Sequence, residues 1–322
     1  MTAILHATAG NPVPDNHTAG YFTSHDGLQL RYAIFRSADT VAHGTVVLLH
    51  GRNESIEKYF ETIRDLTARG LWVATYDFRG QGGSARLLKD ARRGHVRRFT
   101  DYERDLDIFL EQVVLPDTRL PFFLLAHSTG ALIALSAAPM LANRIERMVL
   151  CSPFVALGGQ SASPKTIRLL ARLSCLTGFG SRPLKPPGPA HGFAGNPLTG
   201  DETRFRRNAT IAAEHPELNL GPPTARWLNE CFAAIDRVMQ PDHLAEIMIP
   251  TLVLAPTQDV IVPYAAQERL TRHFRAGQLI TVTGSRHELL QERDQYRAQA
   301  FAAIDAFIPG SDVAASLVAS EA

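Results

Sequence analysis

The sequence predicts an α/β protein: a mostly parallel, doubly wound sheet with one inserted cap. Three observations carry that expectation. Short apolar runs such as Thr45–Leu49 and Trp72–Tyr76 lack the polar alternation of a half-exposed strand, which is how strands buried on both faces of a parallel sheet read. Segments of helical period separate them, and alternation of this kind builds a doubly wound sheet. The rhythm breaks once, from about residue 156 to 240, where eleven of the 23 residues from Gly178 to Gly200 are Gly or Pro. That is too many for a helix interior or a central strand, so the stretch reads as an insertion.

The elements follow in order. Residues 1–18 read as a poorly ordered end. Runs at 21–23 and 28–34 flank Asp26-Gly27, a hairpin turn signal. Strands are expected at Thr45–Leu49, Trp72–Tyr76, 122–125 and 147–150. The clearest helix starts at Thr100, where Thr100-x-x-Glu103 has the form of a capping box, and Tyr102, Leu106, Phe109, Leu110 and Val113 share one face. A helix over 131–138 follows the strand at 122–125. Inside the insertion, helices at Pro164–Leu176 and Ala225–Val238 flank the Gly/Pro-rich loop. A second block then supplies strands at 251–254 and 279–282, a helix from about Ala265, and a last helix whose Tyr296, Ala300, Ile304 and Phe307 form a stripe. The resulting division is a core of residues 19–155 and 241–309, a cap of 156–240, and a flexible tail of 310–322.

Composition narrows the function classes. The chain has 322 residues, 45% hydrophobic and 20% charged, an ordinary globular balance that excludes a coiled coil, a fibre or wholesale disorder. Its apolar stretches, such as Thr45–Leu49 and residues 121–126, fall far short of the roughly 20 residues that span a bilayer. The first nine residues lack the basic start and apolar run of a secretory signal, so a cytoplasmic protein is expected. Three cysteines with no C-x-x-C spacing suit a reducing compartment and neither a disulfide framework nor a zinc cluster. A net charge of +1 gives no reason to expect nucleic acid. The charge is nonetheless segregated: residues 86–98 hold six basic side chains against Asp90 alone, and residues 161–209 hold eight against Asp201 and Glu202.

The chemistry centres on Ala126-His127-Ser128-Thr129-Gly130, which follows one expected strand and opens a helix. That is the setting of a nucleophile elbow, usually written G-x-S-x-G. A sharp strand-to-helix turn lifts the serine hydroxyl above the sheet, and neighbouring backbone then crowds the positions two before and two after it. Gly130 satisfies this need; Ala126 departs from it by one methyl. Alone, the pentapeptide is equally compatible with a serine in an ordinary loop. Its partners decide. Asp259 and His287 lie just past consecutive expected strands, in the order Ser, Asp, His, at the carboxyl ends where an open α/β sheet places its ligand sites. Two backbone amides should complete an oxyanion hole: Thr129, next to the serine, and Arg52, in the His50-Gly51-Arg52-Asn53 loop after the first parallel strand. His50 itself reads as loop packing. Gly80-x-Gly82-x-x-Ala85 mimics a dinucleotide fingerprint, but basic residues rather than an apolar helix follow it. Without H-E-x-x-H, a Cys/His cluster or a P-loop, no metal, nucleotide or other cofactor is implied.

Together these residues resemble the α/β-hydrolase superfamily, and more closely its monoacylglycerol lipase and bacterial lysophospholipase branch. Asp77-Phe78-Arg79-Gly80-Gln81-Gly82, running on through Gly94-His95-Val96 to Phe99-Thr100-Asp101-Tyr102, carries the resemblance most specifically. In the cap, Arg204-Phe205-Arg206-Arg207-Asn208 and Gly221-Pro222-Pro223-Thr224-x-x-Trp227 look like the bacterial lysophospholipases. The resemblance implies the α/β-hydrolase fold, a catalytic Ser128, Asp259 and His287, and hydrolysis of a monoacyl lipid ester through an acyl-enzyme, with transacylation if an alcohol replaces water. A monoacylglycerol lipase or small-ester carboxylesterase is the runner-up, and a ligand-binding homologue without activity is the reading from another class. An aminopeptidase would need an acidic amine site that the basic cap disfavours. The partners expected are a lipid or small ester substrate and peripheral contact with an anionic membrane surface. Trp227, Phe99, Tyr102 and Arg79 read as structural, and the oligomeric state stays open.

Overall fold

The non-alternating apolar runs form the interior of one eight-stranded sheet in the computed structural model, which describes residues 4–39, 41–186 and 192–309. The strands are β1 (His17–Thr23), β2 (Gln29–Phe35), β3 (Thr45–Leu49), β4 (Trp72–Tyr76), β5 (Phe122–His127), β6 (Arg147–Cys151), β7 (Thr251–Pro256) and β8 (Gly277–Val282). They lie in the order β1-β2-β4-β3-β5-β6-β7-β8. The β1–β2 hairpin is antiparallel and adds to β4; every pairing from β4 through β8 is parallel. Gly27, at φ 82°, makes the hairpin turn in a conformation that favours glycine.

Successive side chains of a strand point to opposite faces, so each central strand feeds two cores. Val47, Leu49, Leu124 and Ala126 pack on one side against α2 (Thr100–Phe109) and α4 (Thr129–Leu141), while Val46, Leu48, Phe123 and Leu125 pack on the other against α1 (Phe60–Thr67) and α10 (Asp294–Phe307). Helix α2 continues through a π turn (Leu110–Val114) into the short α3 (Leu115–Asp117). Among the described residues between β6 and β7 lie the helices α5 (Pro164–Leu176), α6 (Glu202–Glu214), α7 (Ala225–Val238) and α8 (Pro241–Glu246); α9 (Tyr264–Thr271) then links β7 to β8.

Several expectations need correction. Thr100 and Glu103 form no capping box. Phe99 is the residue before the helix and is itself αR, Asp101 accepts from the Arg98 amide at 3.2 Å, and Glu103 accepts from the Ser136 hydroxyl at 2.6 Å. Residues 4–18 are packed rather than loose: Leu5 is buried, Ile4 O accepts from Arg31 at 2.8 Å, and buried Asn11 donates to Glu57 O at 2.9 Å. Residues 1–3 and the expected tail from 310 to 322 lie outside the described residues. Helix α6 is an element the sequence did not announce. Only Ile211 of its side chains is buried, so there was little apolar period to read; its start is set by Asp201, which accepts from the Arg204 amide at 2.8 Å.

Candidate active site

Ser128 sits between the last residue of β5 and the first of α4 with φ 51° and ψ −112°, a backbone conformation held only where surroundings dictate it. Its amide donates to Cys151 O at 3.0 Å, and its carbonyl accepts from Leu132 N and Phe154 N, both at 3.1 Å. A Cβ at Gly130 would stand 2.5 Å from His50 O and 2.6 Å from Leu49 O, so only glycine lets α4 start against the end of β3. Ala126 is buried in the core, paired in register with Leu49 and Leu150.

The loops after β7 and β8 bring the other two sequence-predicted side chains to this point. His287 Nε2 lies 3.0 Å from Ser128 Oγ, and its Nδ1 lies 2.7 Å from Asp259 Oδ2. With Nδ1 donating to the carboxylate, Nε2 is left to accept from the serine hydroxyl. Asp259 is itself fixed: Oδ1 accepts from Ile261 N at 2.8 Å and Val262 N at 2.9 Å, and Oδ2 from buried Gln267 at 3.4 Å. The Ser152 hydroxyl donates to His287 O at 2.6 Å. All three side chains are at most 8% exposed. Such a geometry can pass a proton from the serine hydroxyl to an imidazole whose other nitrogen is held by a carboxylate.

The loop after β3 carries charge that sequence reading missed. Glu54 accepts from Gly51 N at 2.5 Å, the Tyr59 hydroxyl at 2.7 Å and Lys58 Nζ at 2.8 Å. Lys58 also donates to Glu288 at 2.7 Å, tying this loop to the residue after His287. Burial pushes both carboxyls up, and the shared lysine resolves them: Lys58 brings Glu54 below the carboxylate range, whereas Glu288, facing the Glu54 charge, stays raised from its ordinary value. Burial pulls Lys58 down, but Glu288 and Glu54 outweigh it and hold the ammonium charged. His127 is pushed down to about 3, chiefly by burial, and is neutral. The i, i+4 spacing of Glu54 and Lys58 was the available signal.

Arg52 and Thr129 line the same cavity as Ser128. The amides on either side of Arg52 are engaged, Gly51 N by Glu54 and Asn53 N by Gln81 Oε1 at 2.9 Å, and Asn53 takes a left-handed φ of 60°. The cap grips this loop: Leu220 N donates to Asn53 Oδ1 at 2.6 Å, and the Arg52 guanidinium donates to Gly221 O while lying 5.4 Å over the Trp227 ring. The cavity holds about 720 Å³, and Leu157, Ile167, Leu170, Phe205, Ile211 and Leu218 give it apolar walls.

Other candidates find plainer places. His50 is buried, its Nδ1 2.7 Å from Gly51 O and its ring 4.3 Å from that of Phe78. The Gly80–Gly83 segment wraps Asp77: a Cβ on Gly82 would lie 2.2 Å from that carboxyl, which accepts from Gly83 N at 2.7 Å and Ile56 N at 3.0 Å. Arg79 is buried on Asp105 and Asp26. Trp227 is cap core and donates to the Tyr102 hydroxyl at 3.2 Å. Of the basic segments, Arg86 and Arg93 bond to carbonyls of the loop and cap, and Arg204 and Arg207 bond to Glu61, so part of that charge is used internally.

Residues 40–294 match the family model described as serine aminopeptidase, S33 (Hydrolase_4). The chain is 31% identical over 291 residues to the probable lysophospholipase L2 of Haemophilus influenzae, spanning 89% of this chain and 91% of that protein. It is 32% identical over 299 residues to lysophospholipase L2 of Escherichia coli strain K12, spanning 88% and 85% respectively. Among solved structures, a soluble variant of Saccharomyces cerevisiae monoglyceride lipase in complex with a substrate analog superposes with a TM-score of 0.73 at 18% identity, over 95% of this chain and 98% of that one. The monoacylglycerol lipase of Paleococcus ferrophilus gives 0.67 at 21% identity, over 87% and 99%. These two show the fold. The chain belongs to the serine aminopeptidase S33 family and is a serine hydrolase of the α/β-hydrolase fold.

Proposed function

We propose that the enzyme cleaves the acyl ester of a lysophospholipid, with Ser128 as nucleophile, His287 as general base and then general acid, and Asp259 orienting and stabilising the imidazolium. Ser128 Oγ attacks the ester carbonyl as His287 Nε2 takes its proton; the amides of Arg52 and Thr129 hold the oxyanion; His287 returns the proton to the departing glycerol oxygen; water repeats the cycle and releases the fatty acid. The single observation that carries the reading is the 3.0 Å and 2.7 Å relay opening into a largely apolar cavity of about 720 Å³ beneath the cap. That size suits an acyl chain in a site of ordinary small-ligand volume.

The relatives named lysophospholipase favour that headgroup class, and those named monoglyceride lipase supply the second reading. Peptide hydrolysis fits less well despite the family's name. An α-amine needs an unshared carboxylate, and the acidic pair on the cavity wall, Glu54 and Glu288, already shares the Lys58 ammonium.

The reading includes peripheral contact with an anionic membrane from a cytoplasmic location. Among the described residues no helix is long and apolar enough to cross a bilayer. Helix α5 instead exposes Leu169, Leu173 and Leu176, with Phe179 just beyond, and Lys165, Arg168 and Arg172 lie on the same helix. Apolar side chains beside basic ones suit the interface of an anionic leaflet. Changing Leu169, Leu173 and Leu176 to Gln should reduce co-sedimentation with phosphatidylglycerol vesicles severalfold; unchanged binding would remove this part.

A hydrolysis panel of lysophospholipids, monoacylglycerols, p-nitrophenyl esters of graded length and an amino-acid arylamide tests the substrate class. The highest kcat/KM is expected for a lysophospholipid. A tenfold preference for any other member would overturn it.

A further inference from the structure

Outside the cavity, three potential ligands from distant parts of the chain meet. His6 and His215 bring their rings to 4.3 Å between centroids, tilted 37°, and His215 Nδ1 lies 3.3 Å from Glu217 Oε1. One ligand atom from each of His6, His215 and Glu217 lies within 4.8 Å of the others. We propose that His6, His215 and Glu217 form a binding site for a divalent transition-metal ion of the Zn²⁺ type, which staples the core to the cap.

The donor set suits that ion class. Two imidazoles and a carboxylate match Zn²⁺, with water completing a tetrahedron, and the nitrogen donors disfavour Mg²⁺ and Ca²⁺. A tetrahedral ion needs its donors about 3.4 Å apart, so small rotations of the exposed Glu217 and the half-buried imidazoles close the site. Glu217 is 58% exposed and His215 22%, which leaves both an entry path and room to turn.

Position gives the site its consequence. His6 stands on the packed N-terminal segment: its own amide donates to Glu57 at 3.3 Å, and Leu5 beside it is buried. Glu57 in turn pairs with buried Arg31. His215 and Glu217 lie where α6 gives way to the 3-10 turn Pro216–Leu218 of the cap. Leu218 and Asn219, directly after Glu217, line the cavity, and Leu220 binds Asn53 of the loop after β3. An ion held here fixes that cavity wall to the core. The motif was invisible in the sequence because His6 is far from His215-x-Glu217, and the fold alone joins them.

Isothermal titration of the full chain, stripped with EDTA, reads the site without using activity, so it fails or succeeds independently of the lysophospholipase reading. Zn²⁺ is expected to bind with one equivalent to this site and to raise Tm by about 4 °C at 100 times Kd, with no shift from Mg²⁺. His6→Ala and His215→Ala should each weaken binding at least tenfold. Glu217→Gln, which keeps the side chain's shape on the surface, should weaken it as well, guarding against a variant that merely misfolds. Absence of saturable Zn²⁺ binding, or binding of equal strength in all three folded variants, overturns the proposal.

Discussion

Replacing Lys58 by methionine removes one ammonium from between two buried carboxylates, and the structure says how the loss divides. Glu54, 4% exposed at its side chain, keeps two donors, the Gly51 amide at 2.5 Å and the Tyr59 hydroxyl at 2.7 Å. Glu288, 6% exposed, loses the one side-chain partner recorded for its carboxylate among the described residues. Breaking a buried pair by deleting one partner costs about 3–5 kcal/mol, because an uncompensated charge stays behind. Lys58→Met is therefore expected to lose that much in urea unfolding at pH 7. The penalty should shrink at pH 5. Glu288 is already raised from its ordinary value, loss of Lys58 raises it further, and a group with a raised folded-state pKa favours the fold as pH falls. Adding Glu288→Gln removes the stranded charge, so the double variant should recover about 2 kcal/mol relative to the sum of the singles. Lys58→Met within about 0.5 kcal/mol of wild type at pH 7, or strictly additive singles, would refute the assignment of these three side chains as one electrostatic unit.

Gly130→Ala places a methyl against Leu49 O and His50 O, backbone that cannot swing aside; it should cost about 1–3 kcal/mol and, by displacing the Thr129 amide and Ser128, lower kcat on the order of 100-fold. Wild-type kcat and Tm in that variant would show that the close approach of α4 to β3 is not needed. Glu61 anchors α6 of the cap through Arg204 and Arg207; burial opposes its charge, but Arg204, Arg297 and Arg207 hold its pKa at about 2. A depressed folded-state pKa contributes stability that is present above pH 4.5 and lost as pH falls toward 2, so Glu61→Gln should cost about 1–2 kcal/mol at pH 7, allowing for partial exposure, and little at pH 2.5. A gap between variant and wild type that does not narrow on acidification would contradict this.

The sheet was legible because its central strands are buried on both faces and therefore contain little but apolar residues; Thr45–Leu49 and Trp72–Tyr76 match the structure residue for residue. Ser128, Asp259 and His287 were legible because each lies at a strand end, where order along the chain translates into proximity above the sheet. What sequence reading missed depends on contacts between segments far apart in the chain. Glu103 had the spacing to cap α2 but is drawn to Ser136 and Arg237. The N-terminal segment is fixed by the core, with Ile4 and Asn11 held by hydrogen bonds to Arg31 and Glu57. The basic runs were visible as charge, but Glu61, which absorbs Arg204 and Arg207, sits 143 and 146 residues away. Lys58 joins Glu54 to Glu288 across 230 residues.

The most direct test of the proposed chemistry is the turnover of a lysophospholipid by Ser128→Ala, with circular dichroism and Tm confirming an intact fold. If Ser128, His287 and Asp259 act as a unit, kcat falls by about 10⁴–10⁶-fold and covalent labelling by a fluorophosphonate disappears. Turnover within tenfold of wild type would mean that the hydroxyl 3.0 Å from His287 is not the nucleophile.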